Sequence, residues 1–251
     1  MRVLFIGDSI TNGSRGVSFT KLVRVSDRSL TIVNKGVNGE PLYNIADRLI
    51  RLLKKDAAFD HIIIQAGIND LLLPELEKRG GLFKWSVGRE RKHDTRPLDD
   101  PQKFRTLYTV LLKEIRHYSK AKVTLVNISR INEEASPQFL ALQRSFNEVI
   151  ADLAGQANYR LADVSGAFEE ILSKQANTPY LCEGFWNTSL FDWLRCLLPG
   201  GADKLAVKRG LRLTIDGVHL NSSGARIYAV AISGILREIT VSRNKMALAD
   251  S

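Results

Sequence analysis

The sequence predicts an α/β fold built on a parallel sheet, and two observations carry that expectation. Short runs dense in Ile, Val and Leu recur at Arg2–Ile6, Leu30–Gly36, His61–Asp70, Ala121–Arg130 and Tyr159–Gly166. The middle runs are nearly continuous in apolar residues, as strands covered on both faces require. Between the runs lie amphipathic stretches with apolar residues at helical spacing. Strands alternating with helices in this way give a parallel sheet flanked by helices.

Taken in order, the first run, "RVLFI", stops at Gly7, and the small polar residues Asp8, Ser9, Thr11, Asn12 and Gly13 follow it. The second ends in "NKGVNGE", with Gly36 and Gly39. In Pro41–Asp56 the residues Leu42, Ile45, Leu49 and Leu52 share one helix face, and in Pro101–Ser119 Phe104, Leu107, Tyr108, Leu111 and Ile115 do the same. The third run, "HIIIQAGIND", lies between these two stretches and carries Gly67 and Asn69 at its end. Pro137 suits the first turn of the next helix, with Ser136 as its cap. A last helix is expected from about 222 to 239, with Lys245–Ser251 as a frayed tail. No repeat or linker divides the chain, so one domain over 1–251 is expected, with insertions at about 71–100 and 173–210. Both insertions read as long loops. The first is rich in Lys and Arg and the second in aromatic residues.

Composition sets the class. With 251 residues, 44% hydrophobic and 25% charged, the chain can build a full core. No apolar run is long enough to cross a bilayer. The opening residues pass directly into a strand with no leader-like segment, so a cytoplasmic location is expected. The net charge of +9 fits a basic solvated exterior and also an anionic substrate. No zinc-finger spacing, basic zipper or RNA-binding aromatic pattern accompanies it, and no nucleic-acid partner is expected. Cys182 and Cys196 have no metal-ligand companions at useful spacing, and two reduced, packed thiols are expected.

In an open parallel sheet, ligands sit beyond the carboxyl ends of the strands. There the chain places Ser9 after the first strand, Gly39 after the second and Asn69 after the third. The loop at Ser9 can be read as a phosphate cradle or as the seat of a nucleophile. It has neither G-x-G-x-x-G spacing nor a Walker Gly-Lys-Ser/Thr. A serine nucleophile needs a base and donors for the developing oxyanion. The N–H groups of Ser9 and Gly39 and the amide of Asn69 can supply the donors. Of His61, His93, His117 and His219, only His219 has a carboxylate close by in a turn: "LTIDGVHLNSSG" sets Asp216 three residues before it. Each part alone has an ordinary reading. Gly39 and Asn69 can be turn residues, Asp70 a cap, and Asp216-Gly217 a β-turn with His219 packed beside it.

Together, "GDSI" with Ser9, "NGE" with Gly39, "GIND" with Asn69 and "DGVH" with Asp216 and His219 resemble, in order, the four defining blocks of the SGNH hydrolase superfamily, the GDSL-type lipases and esterases. Ile10 stands where that family's namesake leucine does, a volume-conserving change. The resemblance implies a flavodoxin-like three-layer α/β/α fold with a parallel sheet of about five strands in the order 2-1-3-4-5. It implies carboxylic ester hydrolysis through an acyl-enzyme, without metal or organic cofactor. On these positions Ser9 is the nucleophile, His219 the base and Asp216 its orienting carboxylate, with Ser9, Gly39 and Asn69 as the oxyanion hole. The expected substrate is an acetyl or other short acyl ester on a carbohydrate. A lipid ester or thioester, acyl transfer to a sugar, and a non-catalytic glycan-binding module are the alternatives. Candidates for contact with substrate are Asp8, Trp85, Arg89, Arg91, Trp186 and Trp193. Lys84 and Arg96 add charge to the first insertion, and Tyr180, Phe185 and Phe191 are further candidates for a pocket wall or a local core.

Overall fold

A computed structural model describes residues 1–92, 94–156, 159–174, 176–183 and 192–249. Five strands form the sheet: β1 (Arg2–Gly7), β2 (Thr31–Gly36), β3 (His61–Gln65), β4 (Lys122–Val126) and β5 (Arg160–Ala162). All neighbouring pairs are parallel, in the order β2-β1-β3-β4-β5. This is the expected arrangement. In chain order the helices are α1 (Ser9–Asn12), α2 (Phe19–Ser26), α3 (Leu42–Lys55), α4 (Ile68–Lys78), α5 (Gly81–Lys92), α6 (Pro101–Tyr118), α7 (Pro137–Gln156), α8 (Val164–Leu172), α9 (Asp192–Cys196), α10 (Gly201–Lys208) and α11 (Ser222–Ala249).

The chain leaves β1 toward β2 in one direction and returns past β1 to β3 in the other. With right-handed crossovers, this reversal puts α2 on one face of the sheet and α3 and α6 on the opposite face. Helices α2, α8 and α11 pack together, as do α3, α6 and α7. Phe19 and Tyr228, with ring centroids 5.1 Å apart, fill the first interface, and Phe104 against Phe146 at 4.7 Å fills the second. Phe5, Ile6, Ile62, Ile63, Ile64 and Leu125 are buried between the layers. The reversal between β1 and β3 also opens the crevice at their carboxyl ends, where Gly7 lies beside Gly36 in the register of β1 and β2.

Several elements differ from expectation. The run His61–Asp70 stays extended only to Gln65, and from Ile68 the chain is helical. A continuous apolar run fits a buried strand and a buried helix equally well, and here Leu71, Leu72 and Leu73 bury a helix face. The 71–100 insertion is therefore largely α4 and α5 rather than loop. The second insertion contains α9 and α10. Helix α11 extends through the expected tail to Ala249. Ser136 does cap α7, accepting the backbone N–H of Phe139 at 3.2 Å. No described helix is long and apolar enough to cross a membrane.

Candidate active site

Ser9 is the first residue of α1, directly after the sharp stop of β1, and it exposes only 6% of its surface. Asp8 makes that stop. Its carboxylate caps α1 by accepting the backbone N–H of Ile10 at 2.9 Å and also takes the amide of Gln65 at 3.0 Å. The expectation that Asp8 contacts substrate does not hold. The residue is fully buried behind Ser9, with its oxygens turned into the protein. Burial pushes its carboxyl up to about 6, against the hydrogen bonds from Gln65 and Ile10.

Asp216 and His219 lie in a tight turn whose ends are pinned together. Thr214 and Leu220 form an antiparallel bridge, and the N–H of Ile215 donates to the carbonyl of His219 at 2.8 Å. Within the turn, Asp216 Oδ1 accepts the N–H groups of Val218 at 3.0 Å and His219 at 2.8 Å. Asp216 Oδ2 is 2.7 Å from His219 Nδ1, and His219 Nε2 is 3.1 Å from Ser9 Oγ. Burial alone would push the Asp216 carboxyl up, but His219 and the two backbone N–H groups hold it below the usual carboxylate range. The ionised Asp216 fixes the ring proton on Nδ1 and leaves Nε2 to accept from the serine hydroxyl. Sequence separations of 3 and 210 residues are thus closed into one hydrogen-bonded line.

Two other expected parts reach the same edge. Gly39 has φ +79°, and a Cβ placed on it would meet nothing within 4 Å, so its backbone faces open space. The amide of Asn69 donates to the carbonyl of Glu40 at 3.1 Å, which joins the loop after β3 to the loop after β2.

The sequence did not single out the residues that lock these loops. Arg48, on α3, holds the Glu40 carboxylate with its Nε at 2.9 Å and donates to the carbonyls of Gly7, at 3.1 Å, and Lys35. One guanidinium therefore binds the ends of β1 and β2 and the loop that carries Gly39. Asp70 is a fully buried brace rather than a cap for its own helix. The 8-residue spacing of Glu40 and Arg48 was the available signal, and it is indistinguishable from ordinary surface charge.

The remaining candidates are scattered. Trp85 on α5 is 59% exposed and Trp193 on α9 is 39% exposed. The side chains of Arg89 and Arg91 lie outside the described residues, as do Trp186, Phe185, Phe191 and His93. Arg96 is bound by Asp94 and lies over the ring of Tyr43 at 4.6 Å. Tyr180 carries the guanidinium of Arg209 over its ring at 4.6 Å. Cys182 and Cys196 are both free thiols.

The sequence pattern of the GDSL-like lipase/acylhydrolase family matches residues 5–227. The chain belongs to that family. It is accordingly a carboxylic ester hydrolase of the serine type. No curated protein sequence matches this GDSL-like chain significantly. Solved structures do, at low identity. Axe2, an acetylxylan esterase from Geobacillus stearothermophilus, is 19% identical with a TM-score of 0.60, over 95% of this chain and 93% of that one. The acetyl xylan esterase AlAXEase is 20% identical with a TM-score of 0.60, over 94% and 99%. A G-D-S-L lipolytic protein from Veillonella parvula DSM 2008 is 17% identical with a TM-score of 0.56, over 92% and 95%. These likenesses share the fold of the GDSL-like chain.

Proposed function

We propose that Ser9, His219 and Asp216 form the catalytic triad of an esterase that removes acetyl or other short acyl groups from a carbohydrate. The single observation that carries the proposal is the line of hydrogen bonds from Asp216 Oδ2 through His219 to Ser9 Oγ, at 2.7 and 3.1 Å. In the first half-reaction Ser9 Oγ attacks the ester carbonyl carbon while His219 Nε2 takes the hydroxyl proton. The resulting oxyanion is met by the N–H groups of Ser9 and Gly39 and by an N–H of Asn69. An amide nitrogen has two hydrogens, and Glu40 engages one of those on Asn69. Each such donor is worth about 2.7–4 kcal/mol of barrier. Collapse of the intermediate breaks the C–O bond to the sugar, and the imidazolium returns its proton to the leaving alkoxide. Water then attacks the acyl-enzyme with His219 again as base, and the carboxylic acid leaves with Ser9 restored.

Two observations support a short acyl group on a carbohydrate. Ser9 and His219 expose only 6% and 5% of their surfaces, which suits a small acyl group. Two of the similar structures are acetyl xylan esterases.

The test is hydrolysis of p-nitrophenyl acetate, butyrate and octanoate and of acetylated xylan by the wild type, Ser9→Ala and His219→Ala. The expected result is turnover that falls with acyl length, release of acetate from acetylated xylan, and loss of several orders of magnitude in both variants. Retention of activity by Ser9→Ala overturns the triad. A preference for octanoate overturns the short-acyl assignment.

A further inference from the structure

Behind the triad turn lies a buried carboxylate that no step above uses. Glu133 follows β4 and is fully buried, and its oxygens are met by three backbone N–H groups and one hydroxyl. Oε2 accepts the N–H of Arg212 at 2.8 Å. Oε1 accepts the N–H groups of Leu213 and Thr214, both at 2.9 Å, and the hydroxyl of Thr214 at 2.7 Å. A carboxyl group held by this many donors is strongly fixed in place, and so is the segment that supplies them.

The hydroxyl passes the constraint onward. Thr214 Oγ1 donates to Glu133 and accepts the N–H of Gly217 at 3.2 Å. Gly217 sits between Asp216 and the Val218-His219 pair, with φ +87°, and a Cβ there would come within 2.1 Å of the Tyr180 carbonyl. Its carbonyl in turn accepts the N–H of Asn132 at 2.7 Å, next to Glu133 in the chain. Both ends of the Gly217 residue are thus held from the same loop after β4, one directly and one through Thr214.

We infer that Glu133, acting through the Thr214 hydroxyl, is a positioning residue that sets the register of the Asp216–His219 turn against Ser9. The inference rests on the assignment of His219 as the base. Its physical basis is that the turn reaches Ser9 across 210 residues of sequence, so the Nε2–Oγ distance depends on bonds between distant segments: the N–H of Val17 on the carbonyl of Leu220 at 2.8 Å on the Ser9 side, and the bonds from the loop after β4 behind the turn. The loop after β4 is anchored in the sheet that also carries Ser9, and it provides a common frame. Misplacing a catalytic group by about 1 Å can cost on the order of 10²-fold in rate.

The decisive variant is Thr214→Val, which keeps the shape of the side chain and removes both hydrogen bonds of the hydroxyl. Its expected effect is a loss of roughly tenfold in kcat on p-nitrophenyl acetate with little change in KM. The acidic limb of kcat/KM is expected to move to lower pH, because a loosened Asp216 stabilises the imidazolium less. Thr214→Ser is expected to restore both. Circular dichroism and thermal melting establish that each variant is folded, and Thr214→Ala takes the place of Thr214→Val if the valine does not fold. Unchanged kcat and pH profile in a folded variant, with Ser9→Ala and His219→Ala still inactive, overturns the inference alone. Activity in Ser9→Ala overturns the triad reading beneath it. A variant that loses only melting temperature assigns Glu133 to stability and also overturns the positioning role.

Discussion

Asp70 accepts the backbone N–H of Leu42 at 2.9 Å, tying the first turn of α4 to the first residue of α3. Asp70 follows Asn69, and Leu42 lies three residues after Gly39, so this bond fixes the distance between two of the proposed oxyanion donors. The other carboxylate oxygen accepts the N–H of Leu98 at 2.8 Å, which secures the end of the 71–100 insertion to the same point. Burial pushes the Asp70 carboxyl up to about 7, against the two backbone hydrogen bonds. In Asp70→Asn one oxygen becomes an amide nitrogen facing a backbone N–H, and that donor loses its acceptor. The expected outcome is a fall of about 1–3 kcal/mol in stability for the unpaired buried donor. A drop in kcat of at least tenfold is expected with it, since oxyanion donors are worth about that much or more. Urea titration and steady-state kinetics on p-nitrophenyl acetate check both. A variant with normal kcat would separate this brace from the oxyanion hole.

Asp216→Asn addresses the tautomer. The ionised Asp216 requires a proton on His219 Nδ1, whereas an asparagine can present its NH₂ to that nitrogen and leave the proton on Nε2. The ring would then face the Ser9 hydroxyl with a donor and could not act as base. Because the turn is also held by backbone bonds outside the side chain, the fold is expected to survive while kcat falls by roughly 10³–10⁴. Kinetics alongside a thermal melt measure the two effects separately, and a fall below tenfold would mean that Asp216 does not control the tautomer.

How far these residues could be read in advance depends on how local their signals are. Asp216 and His219 lie three residues apart in a glycine turn, and Ser9, Gly39 and Asn69 each end a strand-like run. Strand alternation alone was enough to bring Ser9, Gly39 and Asn69 to one edge. The sheet was equally legible, because continuous Ile and Val runs have few other uses. Glu133 was not. In "INEE" it adjoins Glu134, and nothing distinguishes the fully buried carboxylate from its exposed neighbour. The donors that justify its burial lie about 80 residues further along. Asp8 failed in the opposite sense: its place beside Ser9 suggested contact with substrate, whereas its side chain turns back to cap α1. The helical start of α4 was hidden by an apolar run that suits either structure, and only the packing of Leu71, Leu72 and Leu73 decided it.

Gly39→Ala tests the space in front of the oxyanion hole. Nothing in the protein obstructs a methyl group there, so any loss of stability comes from the left-handed backbone, at about 1–2 kcal/mol. The same open space is where the ester carbonyl is proposed to sit. The expected result is therefore a larger loss in kcat/KM than in stability, and a larger loss for butyrate than for acetate esters. Melting curves and acyl-length profiles of the variant check this. Equal losses for both esters would place the acyl group away from Gly39.

His61 gives the molecule a pH-dependent stability at the end of the sheet far from the site. It opens β3 fully buried, and its Nε2 lies 2.7 Å from the Thr124 hydroxyl. Burial, with Lys122 nearby, lowers its pKa to about 4. The unfolded chain takes up this proton near pH 6.5, well before the native state does. Between those values the unfolded state binds more protons, so stability rises with pH and is lost as pH falls from about 6.5 toward 4. Asp8 and Asp70, raised to about 6 and 7, act with the opposite sign, because the native state holds their protons to higher pH than the unfolded chain does. The overall profile mixes the two, but comparison with His61→Gln isolates the histidine, since the carboxyls contribute to both proteins alike. Relative to that variant, the wild type is expected to lose about 2–3 kcal/mol between pH 6.5 and 4.5. Urea titrations of both proteins across that range measure it, and parallel curves would show that His61 takes up its proton in the native state as readily as in the unfolded chain.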